Sequence, residues 1–214
     1  MGKYEVILFD VDGTLLDSAP GIIHTIEETL QIMGVDYYGA DLRKYLGPPL
    51  RKTYADFFKT EAEIEEAVRL YRKSYAVKGS HECTPYPGAY EMLSKLKKEG
   101  IRVFTATSKP TQVVEPILNE HDMTRYFEAV VGASMDTERD TKSDVVSYIL
   151  RSYGLQNKKV LMVGDRMDDM KGAADCGIDA AWAVYGYGSV EEISPYHPVL
   201  CAASCRELTE YILK

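Results

Sequence analysis

The chain has 214 residues, 45% of them hydrophobic and 27% charged, which is enough to bury one full core and carry a small insert. Its formal net charge of -8 at pH 7 argues against a nucleic-acid polymer as a partner, because binding to a phosphate backbone needs a basic surface. The chain has no apolar run long enough to cross a membrane and starts directly with its first predicted strand, so we expect a cytoplasmic protein with no membrane partner.

The most informative segment is the first predicted strand. Residues 6–9 are all apolar, and Asp10, Asp12, Gly13 and Thr14 follow almost directly. Such a run is typical of a buried parallel strand, and in open parallel sheets ligands bind beyond the carboxyl ends of the strands. Unpaired carboxylates at that edge are costly, whereas Mg²⁺ binds carboxylate and phosphate oxygens together. The segment therefore predicts a site for a hard cation and for phosphoryl chemistry.

The next segment, residues 17–84, is predicted to be all helical, with no strand of its own. Apolar side chains recur at helical spacing, and Pro and Gly residues separate the helices. The predicted helices cover residues 17–33, 42–46, 50–58 and 61–77. The segment is also rich in aromatic side chains, which at this spacing we interpret as core rather than as a nucleobase platform. They are Tyr37, Tyr38, Tyr45, Tyr54, Phe57 and Phe58.

From residue 88 onward, predicted helices alternate with short apolar strands. The predicted helices cover residues 88–99, 110–121, 143–154 and 169–176, and the predicted strands cover 101–106, 128–131, 160–163 and 180–184. This alternation is typical of right-handed βαβ units and a parallel sheet. We therefore predict an α/β core formed by residues 1–16 and 85–214, interrupted after its first strand by the helical segment 17–84.

Three later positions carry candidate site residues, each at a predicted strand end or helix start. Thr107 and Ser108 precede a helix, where hydroxyls and unpaired backbone N–H groups can hold an anion. Lys142 lies in a first helical turn, where the helix dipole disfavours a cation, so we expect another demand to place it there. Asp165 and Asp169 follow the strand at 160–163 and repeat the arrangement of acids after the first strand.

Taken together, these four segments resemble the motifs of haloacid dehalogenase-like (HAD) phosphatases that have a cap inserted after the first motif. The resemblance implies a Rossmann-like parallel core, an all-helical cap at residues 17–84, and dependence on Mg²⁺. It implies that Asp10 is the nucleophile and Asp12 the general acid and base. It also implies that Mg²⁺ is held by the Asp10 and Asp165 side chains and by the Asp12 backbone carbonyl.

The same resemblance assigns the phosphate contacts and the reaction class. It implies phosphate binding by Thr107, Ser108 and Lys142, with Gly13, Thr14 and Asp169 in supporting roles. Dehalogenases lack a carboxylate at the place of Asp12, so its presence favours hydrolysis of a phosphate monoester. A phosphomutase would keep Asp12 as well, and the motifs leave that alternative open. A catalytically silent metabolite-binding protein is the alternative from another class.

The expected partner is a small phosphorylated metabolite, because an inserted lid encloses the site. The layout looks most like phosphoglycolate phosphatases, with 5′-nucleotidase-like enzymes close behind. Arg51, directly after the Gly-Pro-Pro-Leu turn, is the candidate contact for the leaving group, and it favours a small acid slightly. The aromatic residues of the cap keep a nucleotide as the alternative. Whether the protein is a monomer or a homodimer is left open.

Overall fold

The computed structural model describes residues 3–136 and 138–214. In this part of the chain there are two compact units. One comprises the chain up to Leu16 together with Pro85–Lys214, and we call it the sheet unit. The other is Asp17–Thr84, which we call the helical unit.

The described residues form the following strands and α-helices, given in chain order. The strands are β1 (Val6–Phe9), β2 (Leu16–Asp17), β3 (Thr84–Pro85), β4 (Arg102–Thr105), β5 (Thr107–Pro110), β6 (Gly132–Ala133), β7 (Val160–Gly164), β8 (Asp179–Ala183) and β9 (Leu200–Ala202). The α-helices are α1 (Ala19–Ile32), α2 (Leu50–Ala55), α3 (Glu61–Val77), α4 (Ala89–Lys98), α5 (Thr111–Glu120), α6 (Lys142–Ser152), α7 (Met167–Asp175), α8 (Val190–Ile193) and α9 (Cys205–Ile212).

The main sheet of the sheet unit has the strand order β4-β1-β7-β8-β9, and every neighbouring pair is parallel. Strand β1 lies between β4 and β7, where Phe9 is in register with Thr105 and Val163. The carboxyl ends of these three strands therefore meet at one edge, which is where ligands bind in open α/β sheets. The predicted α/β fold with a parallel sheet is confirmed.

Both faces of this sheet are covered, as parallel sheets require. On one face, Val6 and Leu8 of β1 join a buried cluster with side chains of α6 and α7. On the other face, Ile7 and Phe9 are also fully buried. A four-residue run that is buried on both sides explains why β1 reads as continuously apolar rather than alternating.

The prediction of a strand at residues 128–131 is wrong. Strand β6 begins at Gly132 and pairs with β5 in a separate two-stranded sheet, while Ala129 makes an isolated bridge to Phe104. The reason lies in Thr105, whose hydroxyl accepts from the Val131 N–H at 2.7 Å and donates to the Val131 carbonyl at 2.9 Å. A side-chain hydroxyl thus replaces one backbone acceptor, while the Thr105 N–H still donates to the Ala129 carbonyl at 3.3 Å.

The helical unit consists of α1, α2 and α3 with short 3₁₀ turns. Helix α3 begins at a capping box, in which Thr60 Oγ1 accepts from the Glu63 N–H at 3.3 Å and the Glu63 carboxylate accepts from the Thr60 N–H at 3.0 Å. The buried face of α3 carries aromatic side chains, and the rings of Tyr71 and Tyr75 are stacked at a centroid distance of 5.4 Å. The unit contributes no strand to the main sheet.

The interpretation of the aromatic residues as core is confirmed for Tyr45, Tyr54 and Phe58, which are buried. It is wrong for Tyr38, whose side chain is 98% exposed. Tyr38 follows α1 in a tight turn, where its backbone N–H donates to the Asp36 carboxylate at 3.0 Å. Such Asx turns occur at the surface, and this one leaves the ring in solvent.

The chain passes between the two units through β2 and β3, which pair with each other in a two-stranded sheet. Gly88 then adopts a φ of +85°, a conformation that favours glycine, and α4 starts at the next residue. Among the described residues, none of the helices has the length and hydrophobicity that a membrane span requires.

Candidate active site

Asp10 lies at the carboxyl end of β1 and is only 8% exposed. Its Oδ1 accepts from the Val11 N–H at 2.8 Å, which fixes the carboxylate at the strand end. The chain then turns at Gly13, where φ is +77°. A Cβ at Gly13 would lie 2.2 Å from Asp165 Oδ2, so the predicted supporting role of this glycine has a steric cause.

Lys142 is buried, and its ammonium has two carboxylates and one backbone carbonyl close to it. Its Nζ lies 3.0 Å from Asp10 Oδ1, 2.7 Å from Asp169 Oδ1 and 2.9 Å from the Ala106 carbonyl oxygen. Burial lowers the pKa of Lys142, but the attraction of the two carboxylates outweighs it and the net direction is upward. The charged ammonium therefore ties the ends of β1, β4 and β7 together, which explains a lysine in the first turn of α6.

Asp165 and Asp169 follow β7 and are completely buried. Asp165 Oδ2 accepts from the Tyr187 N–H at 2.8 Å, and its Oδ1 accepts from the Thr14 hydroxyl at 3.3 Å. A Cβ at Gly164 would lie 2.1 Å from Asp169 Cγ, which is why glycine ends the strand. Asp168, between them in the first turn of α7, is exposed.

These side chains form a buried cluster with excess negative charge. One carboxylate oxygen from each of Asp10, Asp165 and Asp169 lies within 4.8 Å of the others. Burial raises the pKa of Asp10 to about 6 against the opposing attraction of Lys142. Burial, with the Asp169 and Asp10 charges next in importance, also raises the pKa of Asp165 well above its usual range.

Charge counting supports a divalent cation at this cluster. Three buried carboxylates beside the single ammonium of Lys142 leave two negative charges, which is the amount that one Mg²⁺ would balance. The oxygen-only donor set is the one that Mg²⁺ prefers. The residues present therefore fit the predicted metal. Asp169, predicted only as a supporting residue, lies within the cluster.

The phosphate-binding candidates differ in their surroundings. Thr107 is buried next to Ala106, whose N–H donates to the Phe9 carbonyl at 2.7 Å, so it lies at the strand ends beside Asp10. Ser108 is exposed. Because two carboxylates and one carbonyl already lie close to the Lys142 ammonium, a phosphate would compete with them for this ammonium.

Lys109 is a site residue that the sequence reasoning missed. Its Nζ lies 2.8 Å from Asp12 Oδ1, and both side chains are less than one fifth exposed. The Lys109 N–H also donates to Thr107 Oγ1 at 3.2 Å, which turns the chain after Ala106. A lysine next to a predicted anion loop was the available sign, but a contact across 97 sequence positions has no local pattern.

The loop after β8, residues 184–189, lies against Asp165. Its backbone packs on Asp165, since a Cβ at Gly186 would lie 2.3 Å from Asp165 Cβ and one at Gly188 would lie 2.0 Å from the Asp165 carbonyl oxygen. The Tyr187 N–H donates to the Asp165 carboxylate. The Gly-Tyr-Gly pattern after an apolar strand was the sign that the backbone comes close to something here.

Arg51, the candidate contact for the leaving group, lies on the surface of the helical unit. Its guanidinium is ion-paired with both Glu61 and Glu65 of α3. All three side chains are more than half exposed. Two carboxylates around one guanidinium make the local charge negative, which works against recruitment of another anion. The substrate role of Arg51 stays a prediction.

A model of the haloacid dehalogenase-like hydrolase family matches residues 7–183, most of the chain. The chain belongs to the haloacid dehalogenase-like hydrolase family. The matched region includes Asp10, Asp12, Thr107, Lys142 and Asp165, the residues on which the predicted resemblance rests. That prediction is confirmed.

Several relatives are similar over nearly the whole chain. A 5′-nucleotidase from Pseudomonas aeruginosa is 35% identical over 213 residues, 97% of this chain and 96% of the relative. The tyrosine-protein kinase PtkA of Mycobacterium tuberculosis is 34% identical over 96% of this chain and 72% of its own. The phosphoglycolate phosphatase 1 of Pseudomonas aeruginosa is 29% identical over 95% and 78%, respectively.

The similarity extends to solved structures. A predicted phosphatase from Clostridium acetobutylicum has a TM-score of 0.91 and 34% sequence identity, with 98% of each chain covered. At this identity and coverage the two chains share one fold over their full described length.

Proposed function

We propose that this chain is a Mg²⁺-dependent phosphoric monoester hydrolase that acts on a small metabolite through a phosphorylated Asp10. The observation that supports it most is the buried cluster of Asp10, Asp165 and Asp169 around Lys142. Such a charge arrangement costs stability, and it is retained where catalysis needs it. The names of two of the relatives given above describe enzymes of this class.

The metal would be held by the Asp10 and Asp165 side chains, with Asp169 adjacent, and by the Asp12 backbone carbonyl. When bound, Mg²⁺ would neutralise charge on the phosphoryl oxygens and orient the group for in-line displacement. Lys142 holds Asp10 in place and adds a fixed positive charge at the strand ends. Thr107 and the backbone amides at the start of α5 would bind the phosphoryl oxygens.

Asp10 would attack phosphorus, so that an O–P bond forms to the aspartate while the bond to the leaving oxygen breaks. Asp12 would protonate the leaving oxygen. It would then accept a proton from the water that hydrolyses the aspartyl phosphate, which returns both carboxylates to their starting states. Asp12 is half-buried and held by Lys109, a position suited to a group that must reach both the leaving oxygen and water.

The helical unit, residues 17–84, is proposed as the cap that selects the substrate, as the sequence predicts. Within that role, a nucleoside 5′-monophosphate is favoured over phosphoglycolate. The case for the small acid depended on Arg51, and that guanidinium is engaged by Glu61 and Glu65. The half-buried Tyr37 and exposed Tyr38 offer aromatic surface for a base. Phosphoglycolate is the second candidate, supported by the phosphoglycolate phosphatase relative.

The first test is a panel of phosphate esters assayed with Mg²⁺ and with excess EDTA. The panel contains p-nitrophenyl phosphate, nucleoside 5′-monophosphates, phosphoglycolate and phosphotyrosine, the last because one relative is named a tyrosine-protein kinase. We expect inorganic phosphate to be released only with Mg²⁺ and nucleotides to lead in kcat/KM by about tenfold, which is about 1.4 kcal/mol. Transfer of phosphate to a second acceptor without net release would indicate a mutase instead.

Arg51→Ala separates the two substrate classes within the same panel. Because Arg51 is paired on an exposed surface, we expect its loss to change nucleotide turnover little and to cost at most about 1 kcal/mol of stability. Arg51→Lys, which keeps the charge, is the matched control. If Arg51→Ala selectively abolishes phosphoglycolate turnover and that ester leads the panel, the small acid replaces the nucleotide as the proposed substrate.

A further inference from the structure

The segment after β8 makes contacts that a connecting turn does not need. Just before this segment, near the end of β8, the Trp182 indole N–H donates to the Asp165 carbonyl oxygen at 3.1 Å. The Tyr185 hydroxyl then donates to the Thr14 carbonyl oxygen at 2.9 Å. The Tyr187 N–H donates to Asp165 Oδ2 at 2.8 Å. One stretch of chain, through two side chains and one backbone N–H, therefore contacts both the loop after β1 and the loop after β7.

The glycines of this segment allow the close approach. A Cβ at Gly186 would lie 2.3 Å from Asp165 Cβ and 2.3 Å from the Gly13 carbonyl oxygen, and neither atom belongs to a flexible side-chain end. The backbone at Gly186 therefore lies in direct contact with Asp165 and Gly13. Any larger residue at position 186 would have to displace one of them. Gly188 is equally close to the Asp165 backbone.

A charged pair holds the other side of Asp165. Arg166, the next residue, donates through Nε to Glu192 Oε1 at 2.8 Å, and the same oxygen accepts from the Met167 N–H at 3.1 Å. Glu192 belongs to α8, directly after the glycine loop. The side chains of Arg166 and Glu192 are each less than one quarter exposed. A single downstream segment therefore makes hydrogen bonds to the carboxylate of Asp165, to its carbonyl oxygen and to the residue that follows it.

We propose that Trp182–Glu192 acts as a clamp that fixes Asp165 for the divalent cation, with Gly186, Tyr187 and Glu192 as positioning residues. The proposal rests on the proposed function, since it gives Asp165 the role of a metal ligand. Each carboxylate oxygen of Asp165 keeps a second lone pair for a cation after accepting its hydrogen bond. Loss of a group that orients a metal ligand in this way typically weakens metal binding by about 10- to 100-fold.

The test measures Mg²⁺ affinity of the full chain by isothermal titration calorimetry, beside the melting temperature by circular dichroism. Gly186→Ala is expected to weaken Mg²⁺ binding by about 10- to 100-fold. Glu192→Ala, which removes the contacts to Arg166 and Met167 rather than adding a clash, is expected to weaken it by about 10-fold. Gly154→Ala is the matched control, because its φ of +64° gives backbone strain while its Cβ would meet open space.

The control separates positioning from mere destabilisation. Gly154→Ala should lower the melting temperature and keep the Mg²⁺ affinity within twofold. If Gly186→Ala, or Glu192→Ala where the former does not fold, binds Mg²⁺ within twofold of the unmodified chain, the clamp is refuted while the proposed function stands. If the unmodified chain neither binds Mg²⁺ nor releases phosphate, the proposed function fails and the clamp falls with it.

Discussion

Lys142 illustrates how a single buried charge organises the site. Its ammonium lies within 3.0 Å of two carboxylates and one backbone carbonyl, which follow β1, begin α7 and follow β4. Removal of one partner from a buried ion pair typically costs about 3–5 kcal/mol, because the remaining charge is left unpaired. Asp10 and Asp169 therefore depend on Lys142 for their positions as well as for charge balance.

Lys109 should matter for catalysis through Asp12. Lys109→Met removes the 2.8 Å ion pair, so Asp12 is no longer held where it can protonate a leaving oxygen. We expect kcat to fall about tenfold or more on alkyl phosphates, for which general acid catalysis contributes 10²–10⁴-fold. The loss on p-nitrophenyl phosphate should be smaller, because that leaving group needs little protonation.

Lys109→Arg is the control for this prediction, because it keeps a cation near Asp12 and should restore part of the activity on alkyl phosphates. Steady-state kinetics on both ester types make the comparison. An equal loss of kcat on the two esters in Lys109→Met, or no loss at all, would refute this role of Lys109.

Sequence reasoning located the residues whose neighbours in the chain carry the pattern. Asp10, Asp12 and Asp165 follow apolar strands, and that pattern can be recognised in the sequence alone. Lys109 and the glycine loop act through contacts between distant segments, with 97 positions between Lys109 and Asp12. The sequence around Lys109 and around the glycine loop does not indicate which residues they contact. These contacts form only when folding brings the strand ends together.

At the scale of elements, the apolar strands of the main sheet were predictable, whereas the short strands β2, β3 and β5 and the position of β6 were not. Strands β1, β4, β7 and β8 match apolar runs to within about two residues. The segment at 128–131 has the same apolar character but runs beside β4 with Thr105 inserted into its hydrogen bonding. A threonine within an apolar strand gives no sign in the sequence that it will interrupt strand pairing, because its hydroxyl meets its backbone partners only in the folded chain.

Thr105 is therefore expected to stabilise this edge of the sheet unit. Thr105→Val keeps the shape but leaves buried backbone groups of Val131 without the hydroxyl partner, at a cost of about 1–3 kcal/mol. Urea unfolding would measure this as a lower midpoint with an unchanged slope. Thr124→Val, at a more exposed hydroxyl bonded to the Asn119 side chain, should change stability by no more than about 0.5 kcal/mol. Equal effects of the two substitutions would contradict the account.

At the scale of the whole molecule, the buried acidic side chains of the described residues lie together at the proposed metal site. The chain carries a net charge of -8, and two uncompensated charges lie buried at the strand ends. A protein with this arrangement should be less stable without its metal than with it, because the carboxylates repel one another in a medium of low dielectric constant.

Mg²⁺ should therefore raise the melting temperature of the protein. At about 100 times its dissociation constant it adds about 2.7 kcal/mol to the free energy of unfolding. For a chain of this size that corresponds to roughly 5–10 °C, measured by circular dichroism or calorimetry. Asp165→Asn should abolish most of the shift, and Na⁺ at equal ionic strength should not reproduce it. A shift that survives Asp165→Asn unchanged would place the metal elsewhere.

The central claim is that Asp10 is the nucleophile of a Mg²⁺-dependent phosphatase. Asp10→Asn keeps the side-chain shape and the acceptor for the Val11 N–H, but removes the attacking charge. We predict that phosphate release with Mg²⁺ falls by about 10³-fold or more, while circular dichroism shows that the variant stays folded at the assay temperature. A folded Asp10→Asn protein that releases phosphate at a rate close to that of the unmodified chain would contradict the account.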